Sequence, residues 1–207
     1  LFDTPMTNGD PYSYYSLTFG RNMLKVISLN SELQNGDDWA DAFERQNLWL
    51  ADELADSGDI DFLLAGYHKP LRPHTSGKSE NLVLIDSWAE LFYNYGLDVS
   101  CDADSHMHKY TFPLAPCDDT DPECFQSFKK NEEFGVFFQG EGSWGASPRR
   151  HDDDKPWTIG SDSFNQFKWI HIYPAETRQD DAYMSIRTVV TGKRNCYYEE
   201  CPEGVEM

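Results

Sequence analysis

Two short apolar runs, each followed at once by a polar loop, are the feature that most constrains the fold of this 207-residue chain. The first run, residues 62–65, leads into His68, and the second, residues 97–99, leads into Asp104 and His106. In layered α/β proteins, the loops that leave the carboxyl ends of the strands collect ligands and substrates at one edge of the sheet. The sequence therefore predicts that these two loops lie side by side at one edge of a shared sheet.

The order of elements around these runs indicates an α/β fold. The pattern predicts, in order, strands at residues 14–19 and 23–29, a helix at 39–56, a strand at 61–66, a helix at 82–95 and a strand at 97–103. Helical spacing of the apolar positions supports the first helix, and Gly96 is typical of the residue that ends a helix. The resulting ββαβαβ order is that of a layered α/β domain.

The character of the chain changes after Pro113. Residues 114–133 read as an acidic, Cys-bridged insertion, and residues 134–139, 166–173 and 182–190 are strand candidates with no helix between them. That succession predicts a second, antiparallel sheet. We expect a single domain over 1–207, with an α/β part at 12–113, the insertion at 114–133, and the second sheet with a tail at 134–207.

Composition excludes two classes of function. With 17 basic and 36 acidic residues the formal charge is −19, which argues against a nucleic-acid partner because phosphate backbones need a basic surface. No run approaches the roughly 18 apolar residues of a membrane helix, so no membrane span is expected. The chain begins at Leu1 rather than Met, so we expect it to be processed, truncated or part of a longer protein.

The cysteines point to an oxidising compartment. Cys117 and Cys124 flank one short polar segment, and Cys196 and Cys201 flank another. Such pairs are typical of local disulfides in exported proteins, although free thiols remain the alternative. Cys101 is left over in a strand, where it is expected to be an inert small apolar residue. We therefore expect a secreted, extracellular or periplasmic protein.

Asp104 and His106 carry the chemical signal. Side chains two residues apart on an extended segment point to the same side, so a carboxylate and an imidazole can reach one ion. That donor pair suits borderline or hard divalent metals. His68 at the end of the neighbouring strand would add a third ligand, although a histidine before Lys-Pro is also common in a purely structural turn.

Beyond spacing, the order of the motifs resembles the C-terminal half of a calcineurin-like metallophosphoesterase, with the purple-acid-phosphatase-like branch closest. The similarity rests on the segments YYSLTFG at 14–20, VISLNSE at 26–32, Gln46 with WL at 49–50, GYHKP at 66–70 and ADSH at 103–106. It covers residues 12–113 well and 134–190 weakly. The resemblance implies an α/β (α+β) chain that is part of a four-layer α/β/β/α sandwich, with the N-terminal half of that sandwich apparently absent.

The resemblance also implies a ligand set. His68 matches the histidine of the family's first C-terminal loop, and a gapless count places Asp104 and His106 on the two histidines of its GHxH motif. The other register matches GHxH to residues 105–108 and keeps His106 and His108, but needs an insertion in the strand. The family's cofactor would be two divalent or mixed-valence ions of Fe, Zn or Mn.

The implied function is a metal-dependent phosphoric ester hydrolase, most readily a phosphomonoesterase acting on a phosphate ester substrate. His74 and His108 would contact that substrate or protonate the leaving group, although an exposed loop position is the plainer interpretation of His74. The family's first three motifs are missing here, so the site needs an N-terminal segment of the same protein or has decayed. The alternative is therefore a non-catalytic extracellular structural or adhesive module that keeps the fold.

Overall fold

The computed structural model describes residues 13–34, 40–175 and 182–192, which form a mixed α/β structure. The strands are β1 (Tyr15–Phe19), β2 (Leu24–Ser28), β3 (Phe62–Gly66), β4 (Val99–Cys101), β5 (His108–Pro116), β6 (Phe128–Lys130), β7 (Val136–Gly140), β8 (Thr158–Asp162), β9 (Gln166–Tyr173) and β10 (Tyr183–Val190). The helices are α1 (Ala40–Ala55), α2 (Leu82–Leu84) and α3 (Glu90–Asn94), with a π-helical segment Ile85–Ala89 between the last two and a 3₁₀ turn at Ser31–Gln34.

Helix α1 confirms the prediction for residues 39–56. Gln46, Leu50 and Leu54 recur every four residues and are all buried, so they lie on the face of the helix that packs on the sheet. The Gln46 side chain uses both of its polar atoms on the Asn30 backbone, accepting from N at 2.7 Å and donating to O at 3.1 Å. Helix α1 is thereby fastened to the segment that follows β2.

The main sheet has eight strands in the order β1-β2-β3-β4-β7-β5-β6, with β8 also paired to β5. Strands β2, β3, β4 and β7 run parallel to one another, so their carboxyl ends meet at a single edge. The hairpin partner β1 and the strands beyond β7 are antiparallel. We call the edge where the four parallel strands end the rim.

The core lies between this sheet and the helices. Ile27 of β2 and Ala65 of β3 pack in one cluster with helical residues such as Leu50, Trp88 and Phe92, each of which is fully buried. The helical predictions for 39–56 and 82–95 therefore hold because both segments cover this sheet. The second of them consists of three short helical pieces rather than one regular helix.

The predicted second sheet is only partly correct. β9 and β10 do form a separate antiparallel pair, but β7 lies inside the main sheet between β4 and β5. Val136 and Phe138 of β7 are buried, so this strand supplies central core positions. Its pairing with β4 joins residues almost forty positions apart, with Val99 opposite Phe137. A local sequence pattern does not predict a pairing over such a separation.

The disulfide between Cys117 and Cys124 is present, with Cα atoms 5.7 Å apart, and confirms the first predicted pair. Cys196 and Cys201 lie outside the described residues. Cys101 is a free, half-buried thiol, and burial raises its pKa to about 12, so the thiol is unreactive at neutral pH, as predicted. Within the residues that the structure describes, no helix has the length and apolarity to cross a membrane.

Candidate active site at the sheet rim

Backbone hydrogen bonds hold the rim loops together. Ala103 N donates to His68 O at 2.9 Å, and His106 N donates to Glu141 O at the same distance. The loops after β3, β4 and β7 are therefore joined directly, as the sequence predicted for the first two. Asp104 and His106 adopt positive φ angles of 63° and 55°, a left-handed conformation that non-glycine residues rarely take and that marks local strain.

His68 and Asp104 converge at this rim. His68 Nε2 lies 3.6 Å from Asp104 Oδ1, and the imidazole is 56% exposed whereas the carboxylate side chain is 19% exposed. Asp104 is the residue that the gapless register selects. The two side chains are drawn from loops whose parallel strands pair directly, so the convergence follows from the sheet.

Two further cations contact Asp104. Lys78 Nζ lies 2.7 Å from the same Oδ1 atom, and Arg149 Nη1 donates to the Asp104 backbone oxygen at 2.9 Å. Partial burial disfavours the ionised carboxylate, but Lys78, His68 and Arg149 outweigh it and hold the pKa of Asp104 below its usual range. Asp104 is therefore a carboxylate at neutral pH, which is the state that a metal ligand requires.

His106 lies in the same electrostatic neighbourhood. Burial and the Arg149 charge lower its pKa, against the opposing effects of a hydrogen bond with the Ser147 backbone and of the Asp104 charge. Arg149 N also donates to His106 O at 2.9 Å, so residues 147–149 wrap around this histidine. A neutral imidazole is again the form that binds metals.

The donor atoms present fit part of a metal site. Two ligand atoms about 2.1 Å from a tetrahedral ion are about 3.4 Å apart, close to the 3.6 Å between His68 Nε2 and Asp104 Oδ1. Among residues 13–34, 40–175 and 182–192, however, no group of three or more His, Cys, Asp or Glu side chains is arranged to hold a metal ion. The predicted set of His68, Asp104 and His106 thus supplies one converged pair, and its metal role stays a prediction.

A buried ionic network supports the rim from below. Lys109 Nζ lies 2.8 Å from Asp102 Oδ2 and 2.9 Å from Glu141 Oε1, and none of the three side chains is more than 2% exposed. Burial raises the pKa of Asp102, whereas for Glu141 the nearby Lys109 and His74 overcome burial and lower the pKa. Lys109 therefore ties together the loops that carry Asp104 and Arg149.

His74 belongs to this buried network. Its side chain has no exposed surface. Its backbone N–H donates to Glu141 Oε1 at 2.9 Å, and its ring Nε2 lies 2.6 Å from Thr158 Oγ1. Burial lowers the pKa of the imidazole. The expected exposed position for His74 is wrong, because the loop folds inward onto Glu141.

His108 begins β5 and is also buried. Its ring stacks on Phe164, with centroids 5.2 Å apart, and its Nδ1 accepts from Lys168 Nζ at 2.8 Å. Burial and the Lys168 charge lower the pKa of His108 to about 3. The catalytic roles predicted for His74 and His108 stay predictions, and both would require the enclosing residues to move.

Comparison with known proteins assigns the fold of the chain. No family model and no curated protein sequence matches the chain. The structure is similar to that of a purple acid phosphatase isolated from yellow lupin (Lupinus luteus) seeds, with a TM-score of 0.62 and 17% identity over 88% of this chain and 31% of that one. The chain has a metallophosphoesterase fold.

Two further solved structures are similar. GAP50, described as the anchor in the inner membrane complex of Plasmodium, gives a TM-score of 0.53 at 11% identity, over 73% of this chain and 42% of that one. PhoD gives 0.47 at 13% identity, over 87% and 44%. The chain thus spans less than half the length of each of these proteins. The fold implied by the sequence resemblance is confirmed.

Sequence reasoning missed four residues of the rim and its support: Lys78, Lys109, Glu141 and Arg149. Only Glu141 had a usable signal, because it follows an apolar strand just as Asp104 does. Lys78 and Arg149 reach Asp104 across 26 and 45 residues of sequence. The sequence around Lys78 or Arg149 does not predict a contact with Asp104.

Proposed function

We propose that this chain forms part of the active site of a metal-dependent phosphoric ester hydrolase, with phosphomonoesters as the preferred substrate class. One observation carries the proposal: His68 Nε2 and Asp104 Oδ1 lie 3.6 Å apart at the rim. Support comes from the metallophosphoesterase fold that the chain shares with a purple acid phosphatase. His68, Asp104 and His106 would bind the metal, and ligands from outside the described residues would complete the site.

The residues of this chain have defined tasks under that proposal. Asp104 offers an ionised oxygen, His68 offers an exposed ring nitrogen, and Arg149 fixes the loop between Asp104 and His106. The metal ions, which we expect to be Fe, Zn or Mn, would polarise the ester and lower the pKa of a bound water. Lys78 and Arg149 also place positive charge at the rim of a chain of net charge −19, which favours the approach of an anionic substrate.

We place the protein in an oxidising, extracellular or periplasmic setting. The Cys117–Cys124 disulfide supports this, because such bonds persist mainly in oxidising compartments. The high negative charge is compatible with a soluble protein that works in salt, where repulsion is screened.

A second candidate function is a non-catalytic module that retains the fold. The observation that favours it is the Lys78 ammonium 2.7 Å from Asp104 Oδ1, because a permanent ion pair would stand where a metal is needed. The likeness to a Plasmodium protein described as an anchor also fits this candidate. If the protein is such a non-catalytic module, the rim loops would serve only to bind a partner or to stabilise the fold.

Metal content and turnover of the full-length protein decide between the two. We expect one or two bound metal ions per molecule and hydrolysis of p-nitrophenyl phosphate. His68→Ala and Asp104→Asn should each lower kcat/KM by more than about 100-fold, because losing a metal ligand costs more than losing a residue that only orients one. His171→Ala is the matched control, because His171 is an exposed histidine on β9 whose ring packs on Tyr173, and it should leave turnover unchanged. Absence of both metal and turnover would remove the enzyme proposal and leave the second candidate.

A further inference from the structure

The antiparallel pair β9–β10 has an unusual composition for this chain. Each strand has eight residues, and neither contains an acidic side chain, although the whole chain has 36. Phe167, Trp169 and Tyr173 of β9 are separated by even numbers of residues, and Tyr183 begins β10. Side chains two residues apart on a strand share one face, so the three aromatic rings of β9 lie on the same side.

The opposite face of this pair of strands is attached to the main sheet. Lys168 Nζ donates to His108 Nδ1 of β5 at 2.8 Å. Gln166 Nε2 donates to Met107 O and to Gly140 O, both at 3.2 Å. Because neighbouring side chains on a strand point to opposite faces, the aromatic residues at the alternate positions face away from the main sheet.

The outward face carries a row of aromatic rings. Tyr183 lies opposite Tyr173, and their rings stack with centroids 4.2 Å apart. Trp169 is 58% exposed and Tyr183 is 57% exposed, whereas at the other end the ring of Trp144 packs on that of Phe167 at 5.7 Å. We call these five residues the aromatic strip. The solvent-facing side of an antiparallel sheet is normally polar, so exposed rings there indicate a binding surface.

The aromatic strip is long and narrow. Eight residues per strand at about 3.4 Å per residue give a length of about 27 Å, and two strands, each about 4.8 Å across, give a width of about 10 Å. The resulting area of about 270 Å² is far below the about 800 Å² per partner of a stable protein–protein interface. A linear ligand therefore fits the strip better than a globular partner or a second copy of the chain.

Charge and hydrogen bonding narrow the class of linear ligand. Arg187, opposite Trp169, is the only Lys, Arg, Asp or Glu at the outward positions of β9 and β10, whereas a nucleic acid needs several cations. An extended peptide pairs with the edge of a sheet rather than with its face, because backbone groups laid on aromatic rings would lose water without gaining partners. A sugar ring can instead place its flat C–H face on an aromatic ring and keep its hydroxyl groups in water.

We propose that the aromatic strip binds a neutral, linear, β-1,4-linked glycan, whose sugar rings stack on Trp169, Tyr173 and Tyr183. Positions two residues apart along β9 are about 6.8 Å apart, which is on the scale of one sugar unit. Stacking on these rings requires neither a metal ion nor turnover. The proposal is therefore independent of the proposed phosphoesterase function.

The experiment is isothermal titration calorimetry of the full-length protein with cellohexaose and with chitohexaose, two neutral β-1,4-linked chains. At least one of them should bind with a dissociation constant below about 1 mM. Trp169→Ala and Tyr183→Ala should each weaken binding by about tenfold or more, within the range for removing one stacked aromatic ring from a binding platform. Trp169→Phe, which keeps a ring, should lose less affinity than Trp169→Ala.

Tyr95→Ala is the matched control for Tyr183→Ala. Tyr95 is also a partly exposed tyrosine, at 42%, but it lies at the end of α3. Its removal should leave the affinity for either glycan unchanged. Circular dichroism and the thermal midpoint would verify that each variant folds like the wild type.

Binding of neither glycan by the wild type would overturn the proposal, and so would equal affinity in the wild type, Trp169→Ala and Tyr183→Ala. Two other occupants have distinct signatures in the absence of glycan binding. Association with phosphatidylcholine vesicles would assign the aromatic strip to a lipid surface. A dimer in sedimentation velocity that Trp169→Ala abolishes would assign it to a second copy of the chain. Either result would overturn the glycan proposal.

Discussion

Lys109 shows how much of this molecule depends on single buried charges. Its ammonium is 2% exposed, pairs with Asp102 and Glu141, and also donates to Arg72 O at 3.1 Å. Desolvating such ions is costly, and the cost is recovered only while every partner is present. The network lies directly beneath the loops that carry Asp104 and Arg149, so its loss would reach the rim.

We predict that Lys109→Met is strongly destabilising. The methionine fills a similar volume but leaves the buried carboxylates of Asp102 and Glu141 without their cation, a change that typically costs roughly 3–5 kcal/mol. Chemical denaturation at neutral pH, followed by circular dichroism, measures the free energy of unfolding.

Lys129→Met is the matched control for Lys109→Met. Lys129 pairs with Asp121 at 2.6 Å, but the two side chains are 35% and 26% exposed, so water replaces the lost contact. We expect little change in its free energy of unfolding. Equal destabilisation by the two variants would contradict the account of Lys109 as a buried cation.

At the scale of elements, the helical segment that leads into β4 is built around Trp88. The indole is fully buried in the π-helical segment. Its ring lies 5.2 Å from that of Tyr67 and 6.1 Å from that of Phe92, and its Nε1 donates to Asn47 Oδ1 of α1 at 2.8 Å. Trp88 thus joins two helices to the residue that precedes His68.

We predict that Trp88→Ala destabilises the protein by about 3–5 kcal/mol, the range for removing a buried large aromatic side chain. Thermal and urea denaturation would measure the change. Trp144→Ala is the control of the same chemical type, because Trp144 is 77% exposed. A comparable loss of stability in both variants would contradict the assignment of Trp88 to the core.

Prediction of elements from sequence worked where the signal is local. The apolar spacing of Trp39, Phe43, Leu50 and Leu54 predicted α1, and the runs before His68 and Asp104 predicted β3 and β4. The π-helical segment Ile85–Ala89 was not predicted, because helical spacing in the sequence does not show where an extra residue per turn falls. The position of β7 was also missed, since its pairing with β4 depends on contacts remote in sequence.

At the scale of the whole molecule, net charge opposes compactness. Acidic residues exceed basic ones by 36 to 17, and such an excess destabilises the folded state through self-repulsion. Asp118 is exposed, and hydrogen bonds from Thr120 lower its pKa. Asp121 is half-buried, and its hydrogen bond from Lys129 lowers its pKa.

We predict that salt stabilises the protein. Raising NaCl from about 10 mM to about 150 mM shortens the Debye length from about 30 Å to about 8 Å, which screens repulsion between distant carboxylates. A gain of about 1 kcal/mol would raise the thermal midpoint by about 2–4 °C for a chain of this size. Differential scanning calorimetry at the two salt concentrations checks this.

The control for the salt prediction is the double variant Glu132→Gln/Glu133→Gln, which removes two exposed negative charges. Its midpoint should depend less on salt than that of the wild type. A midpoint that falls with salt in the wild type would show that partly exposed ion pairs such as Lys129–Asp121 outweigh net repulsion.

The sequence by itself determined the local features: the periodicity that makes α1, the apolar runs that make β3 and β4, the Cys117–Cys124 pairing, and the delivery of His68 and Asp104 to one edge. Only the tertiary structure decided that β7 joins the parallel strands, that His74 turns inward, and that Lys78 and Arg149 converge on Asp104. The physical reason is range. Helix and strand patterns are set by residues a few positions apart. The partner of a charged side chain, by contrast, is decided by which segments the folded sheet brings together, at any separation along the chain.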